Sequence, residues 1–143
     1  MLTYVGGSSP TVLKAARASL ESFMDLEKLS RRVSAEIDNY VYEYTNQLVG
    51  RPLSPERIKT GILELRSALV EPYWANIIRR DTIEQIKSAD PAVCRCAVVA
   101  EDGKGILLAF DPAAAEFLLA RRSADTLESY GVSGDAVGCF MAR

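Results

Sequence analysis

The chain has 143 residues, 48% of them apolar and 25% charged, with a formal net charge of −2 and no histidine. That balance belongs to an ordinary folded protein long enough to bury about two thirds of its unfolded surface, and it lacks the basic excess with which nucleic-acid binders neutralise phosphate. Without histidine, Ser-His-Asp and Cys-His catalysis, most zinc sites and the usual proton shuttle at neutral pH are excluded.

No stretch approaches 18 consecutive apolar residues, so no helical membrane span is expected. The first ten residues show no basic segment followed by an apolar one, and the three cysteines read as reduced thiols in a cytoplasmic protein. The expected organisation is a single domain, residues 1–143. It comprises a flexible lead (1–10, with Gly6-Gly7-Ser8-Ser9-Pro10), a helical part (11–71) and a mixed part dominated by an antiparallel sheet (73–143).

From Thr11 to Val49 there is neither Gly nor Pro, and apolar residues recur at helical spacing. One straight helix of that length would run about 58 Å, longer than a domain of this size is wide. Leu13, Ala16, Leu20, Phe23 and Met24 share one face, whereas Leu26, Leu29, Val33, Ile37, Tyr40, Tyr44 and Leu48 share another. A bend, break or change of packing partner is therefore predicted near Met24–Leu26. Gly50 is placed to end the helix. Ser54-Pro55-Glu56 then supplies an N-cap, a proline at the first helical position and an early acid. The next helix carries Ile58, Ile62, Leu65 and Leu69 on one stripe and is expected to end at Glu71-Pro72, giving an antiparallel helical hairpin.

Residues 73–80 fit a strand by their aromatic and β-branched content and a helix by the spacing of Trp74, Ile77 and Ile78; the strand is favoured. Thr82 with Gln85 forms a capping box for a short helix ending near Ser88. Beyond it, turn signals recur every 9 to 13 residues at Asp102-Gly103, Asp111-Pro112, Ala124-Asp125 and Gly134-Asp135. They predict strands at 93–101, 105–111, 116–122, 126–132 and 136–142. The third also satisfies the rules for a short helix, and the turn rhythm favours a strand. The predicted fold is α+β: an N-terminal helical hairpin, with an extra helical segment before it, packed on a C-terminal antiparallel β-meander.

Neither face of the predicted strands is polar. Ile106, Leu108 and Phe110 alternate with Leu107 and Ala109, and Phe117 and Leu119 with Leu118 and Ala120. A half-exposed antiparallel sheet would alternate apolar with polar. Helices can cover one side. The other requires either closure into a small barrel, with the small residues inside, or a second copy of the chain.

Motifs that could carry chemistry are few. Cys94-x-Cys96 places two thiols on one strand face, and Cys139 on the last predicted strand could lie near them. The set lacks the fourth ligand and the C-x2-C spacing of a structural zinc site, so no metal or cofactor is expected. Gly131-Val132-Ser133-Gly134-Asp135 misses the serine-nucleophile pattern by its last residue, and there is no histidine to act as base; it reads as a tight turn between strands. Asp102-Gly103-Lys104-Gly105 reads as a hairpin turn. The Arg pairs at 31–32, 79–80 and 121–122 read as solvated faces. No catalytic residue is assigned.

Tyr42, Tyr44, Trp74, Phe110, Arg121 and Arg122 are the candidate ligand-binding or interface residues, because aromatic side chains and arginines dominate interaction hot spots. The leading expectation is a non-enzymatic cytoplasmic interaction module that self-associates as a homodimer, with an additional protein partner possible and neither nucleic acid nor membrane involved. Alternatives are a small-molecule binder with a pocket between sheet and helices, lined by Tyr44, Trp74 and Phe110, and a histidine-free enzyme using carboxylate, Lys or Tyr chemistry.

Overall fold

The computed structural model describes residues 26–42 and 53–143. The predicted lead, the segment 11–25, the bend near Met24, Tyr44 and the Gly50 helix stop lie outside the described residues. Within them the fold is α+β. Helix α1 covers 26–38. It is followed by α2 (Pro55–Ala68), β1 (Leu69–Ile78), α3 (Ile83–Lys87), β2 (Val93–Glu101), β3 (Ile106–Asp111), β4 (Glu116–Ser123), β5 (Thr126–Gly134) and α4 (Ala136–Met141).

The expected continuation of α1 through Val49 is corrected. The helix stops at 38, where both the backbone N–H and the side-chain amide of Asn39 donate to the Ala35 carbonyl (3.0 and 2.9 Å). The Tyr-Val-Tyr run that follows has low helix propensity. Tyr42 takes on a joining role instead: its Oη accepts the Leu53 backbone N–H at 3.1 Å. Ser54 caps α2 as anticipated, its side chain accepting the Arg57 N–H at 3.1 Å.

Helix α2 ends at Ala68 rather than at Glu71-Pro72. Leu69 already pairs with Ala100 of β2. Val70 is β-branched and the residue before Pro72 is disfavoured in the helical region, so sheet pairing wins over the helical stripe. Pro72 has no N–H to give, and the β1–β2 ladder slips between Leu69 and Tyr73, on either side of it.

The strands run in the order β1-β2-β3-β4-β5 and close into a barrel. Neighbours are antiparallel, and closure is a parallel contact in which Ile78 of β1 meets Glu128 of β5. Of the two ways to cover the second face, barrel closure is therefore the one the chain uses. The interior holds Ile77, Cys96, Val98, Leu107, Ala109, Leu118, Ala120 and Leu127. A five-stranded barrel is too narrow for a lumen, and large and small side chains together fill it. The outer face carries Ala97, Val99, Leu108, Phe117 and Leu119 beneath Leu29, Val33 and Ile37 of α1, Leu65 of α2, and Val137 and Phe140 of α4.

The predicted last strand, 136–142, is a helix. Strand β5 runs through to Gly134, so Gly131–Asp135 is not a turn between two strands. The Asp135 side chain then accepts the Gly138 N–H at 2.8 Å as an N-cap. Val137, Phe140 and Met141 gain more from packing at helical spacing than their alternation with Cys139 would gain in a sheet that is already closed. Met141 lies so close to α2 that a Cβ on Gly61 would meet its Cγ at 2.8 Å. The other predicted strands form: of 73–80, residues 73–78 lie in β1 and the Arg pair falls just past its end, and 116–122 lies within β4. Among the described residues no helix is long and apolar enough to cross a membrane.

Candidate functional site

Chemistry concentrates at the barrel end where β1 leaves and β2 enters. Strand alternation sends Cys94 and Cys96 of β2 to the interior face, beside Ile77 of β1. Ala97 of β2 pairs with Phe110 of β3, so the same register sets Asp111 opposite Cys96. Arg79, the first residue past β1, lies over this group. Its Nε donates to Asp81 at 2.6 Å, its Nη1 to Asp111 at 3.1 Å, and Cys94 Sγ lies 3.9 Å from Nη1. The two thiols are 3.3 Å apart, and Cys94 Sγ also reaches the Ile77 carbonyl at 3.5 Å. Asp111 is 5% exposed, and its Oδ1 accepts the Ala113 N–H at 3.0 Å. Burial pushes the Cys96 thiol well above its ordinary pKa, and the hydrogen bond to Cys94 adds to the shift.

Arg80 braces the crossover that covers this end. Its Nη1 donates to the carbonyls of Gln85 (2.6 Å), Ser88 (3.1 Å) and Ile86 (3.4 Å), at the C-terminal end of α3, and its Nε pairs with Glu128 at 3.2 Å. At the other end of α3 the expected capping box forms: Thr82 accepts the Gln85 N–H, and the Gln85 side chain accepts the N–H groups of Asp81 and Thr82. Asp81 Oδ1 accepts the Gly131 N–H at 2.7 Å, tying the crossover to β5 where Gly131 takes φ +90°. Arg79 and Arg80, read from the sequence as a solvated face, are thus half-buried struts. Nothing local distinguishes them from the other Arg pairs.

The braced crossover buries none of the side chains of α3. Ile83 and Ile86 are 67% and 60% exposed, and Val93 where the chain re-enters the barrel is 58% exposed. Both isoleucines stand at i, i+3 spacing on one helix face, beside the exposed Glu84 and Lys87.

The residues singled out in the sequence do not form one site. Trp74 and Phe110 line a cavity of about 230 Å³ with Leu26, Lys28, Leu29, Arg32 and Pro112. The Arg32 guanidinium lies 4.9 Å from the centroid of Phe110, and the ring of Phe110 meets Phe117 edge-on at 5.1 Å. Trp74 Nε1 is buried without a hydrogen-bond partner among the described residues. Arg121 and Arg122 lie at the far end of β4. There Arg121 covers the ring of Tyr130 at 5.2 Å and Arg122 forms an exposed pair with Glu101 at 3.5 Å. Tyr42 is engaged with Leu53, away from both. Cys139 does not join Cys94 and Cys96: it sits on α4 in the outer core, its Sγ 3.6 Å from the Phe117 carbonyl.

No family model, no curated protein and no solved structure matches this chain.

Proposed function

We propose that this protein is a non-enzymatic cytoplasmic interaction module that forms a homodimer through its β1–β2 crossover. The observation that carries the reading is α3: a five-residue helix held at both ends by polar contacts while Ile83 and Ile86 stay 67% and 60% exposed. Helices this short are not stable alone, so the capping box and Arg80 hold this one in a fixed shape. A rigid, exposed aliphatic surface is a feature of interaction sites. The occupant best suited to it is a second copy. In an antiparallel α3–α3 contact across a two-fold axis, Ile83 meets Ile86 of the other copy, and Glu84 meets Lys87 in both directions. The three free cysteines accord with a reducing compartment. Sedimentation velocity tests the proposal: the chain should sediment as a dimer at tens of micromolar and Ile83→Asp/Ile86→Asp as a monomer of unchanged circular dichroism. A strictly monomeric parent protein refutes it.

The Trp74 cavity favours a second reading, as a binder of a small apolar molecule carrying an acceptor or an anionic group. The indole N–H, without a partner among the described residues, supports it, since a buried donor left unpaired costs about 1–3 kcal/mol, and Arg32 brings a positive charge to the same cavity. Trp74 is the single tryptophan, so its fluorescence reports directly on occupancy. A screen of small aromatic carboxylates that leaves the emission unchanged at millimolar concentration removes this reading.

A further inference from the structure

We propose that Cys94, Cys96 and Asp111 form a binding site for a thiophilic divalent cation of the zinc type, with Arg79 orienting the carboxylate. The ligand atoms of the three residues all lie within 4.8 Å of one another. Their disposition is built into the sheet: two thiols two residues apart on one face of β2, and a carboxylate from the adjacent position of β3. Zinc with Zn–S bonds of about 2.3 Å in a tetrahedral arrangement sets its sulfurs about 3.8 Å apart. The thiols here are 3.3 Å apart, so a small rotation of Cys94, the half-buried member, opens the pair to that separation. The same partial exposure gives the cation an entry path.

Charge and ligand softness argue in the same direction. Two thiolates and the Asp111 carboxylate carry three negative charges, and the one positive charge of Arg79 is shared with Asp81, so the site keeps a negative excess that a dication offsets. Binding is a simple exchange: the cation forms two metal–sulfur bonds and one metal–oxygen bond, and the two thiol protons leave to solvent. Thiolate donors select zinc, cadmium or their spectroscopic substitute cobalt over magnesium and calcium. Asp111 already has the partners a metal-binding carboxylate usually keeps, one oxygen held by Arg79 and the other by the Ala113 N–H. Three protein ligands leave a fourth position, which water would fill. The alternative use of the pair, a disulfide, is disfavoured because residues i and i+2 of a strand are about 6.7 Å apart, at the outer limit for that bond.

The test is titration of the reduced full-length protein with Co²⁺, followed by displacement with Zn²⁺. The expected result is a thiolate-to-cobalt charge-transfer band that saturates at one equivalent per chain and disappears on adding zinc. Cys94→Ser and Cys96→Ser should each abolish the band, and Asp111→Asn should weaken binding at least tenfold. Cys139→Ser, which alters a thiol in the outer core, should leave the titration unchanged. Because Cys96 is buried and its variant could fail to fold, Cys94→Ser, at the half-buried position, carries the decisive comparison. No band in the parent protein, a band that survives in Cys94→Ser, or one that requires Cys139 would overturn the assignment.

Discussion

Replacing Arg80 by alanine isolates what holds α3 in place. The side chain has three carbonyl acceptors at the helix C-terminus and an ion pair with Glu128 at 3.2 Å, the two partners 24% and 26% exposed. One nitrogen serves all three carbonyls, so they count as one charged contact of about 1.5–3 kcal/mol. The partly screened pair adds at most about 1 kcal/mol. The loss is therefore about 1.5–4 kcal/mol, and it falls locally, since α3 buries no side chain whose packing could hold it. Native-state hydrogen exchange reads this directly. The amides of Ile86 and Ser88, bonded to the carbonyls of Thr82 and Gln85, should lose about tenfold or more in protection, while Val98 in the barrel keeps its slow exchange. Arg80→Lys should fall between, because an ammonium cannot span Glu128 and the helix end together. Unchanged protection at Ile86 in Arg80→Ala would refute the bracing argument, and with it the claim that the exposed isoleucines are held rather than incidentally exposed.

Other expectations follow from the barrel. Ala124 takes φ +53° in the β4–β5 turn, a conformation costing a non-glycine residue about 1 kcal/mol, so Ala124→Gly should raise the urea midpoint by the equivalent of about 0.5 kcal/mol. Burial pushes the Cys139 thiol up to about 12; the folded chain keeps a proton that the unfolded chain gives up from about pH 9. Stability should therefore fall as pH rises from about 9 towards 12, and Cys139→Ser should show a shallower fall in urea titrations over that range. A slope identical in both proteins would contradict the burial argument.

What could be read in the sequence was what local chemistry decides. Ser54-Pro55 and the Thr82/Gln85 box mark helix starts whatever the surroundings, and Asp102-Gly103 turns the chain wherever two strands flank it. The equal apolarity of the two strand faces pointed to either a barrel or a second copy, because a sheet cannot leave an apolar side in water, and only the structure shows that the barrel closes. Tertiary contacts decided the rest. The alternation of Val137, Cys139 and Met141 fits a strand equally well until closure of the barrel leaves no edge for it, whereupon Asp135 becomes a helix cap. Leu69 and Val70 leave α2 because Ala100 offers a strand partner. Arg79 resembles any surface arginine in sequence, and Asp111 resembles a turn residue. Only the β2–β3 register brings the second beneath the first and beside two thiols. The aromatic residues drew attention as generic hot-spot types, whereas the exposed surface on α3 is aliphatic and shows only once burial is known.

Sedimentation equilibrium on a charge-reversal cycle tests the proposed dimer most directly. Glu84→Lys and Lys87→Glu alone each place like charges across the two-fold contact and should weaken self-association by tenfold or more. Glu84→Lys/Lys87→Glu together restores opposite charges in both directions and should recover most of the parent affinity. Single variants that dimerise as well as the parent protein, or a double variant weaker than both, would contradict an antiparallel α3 interface.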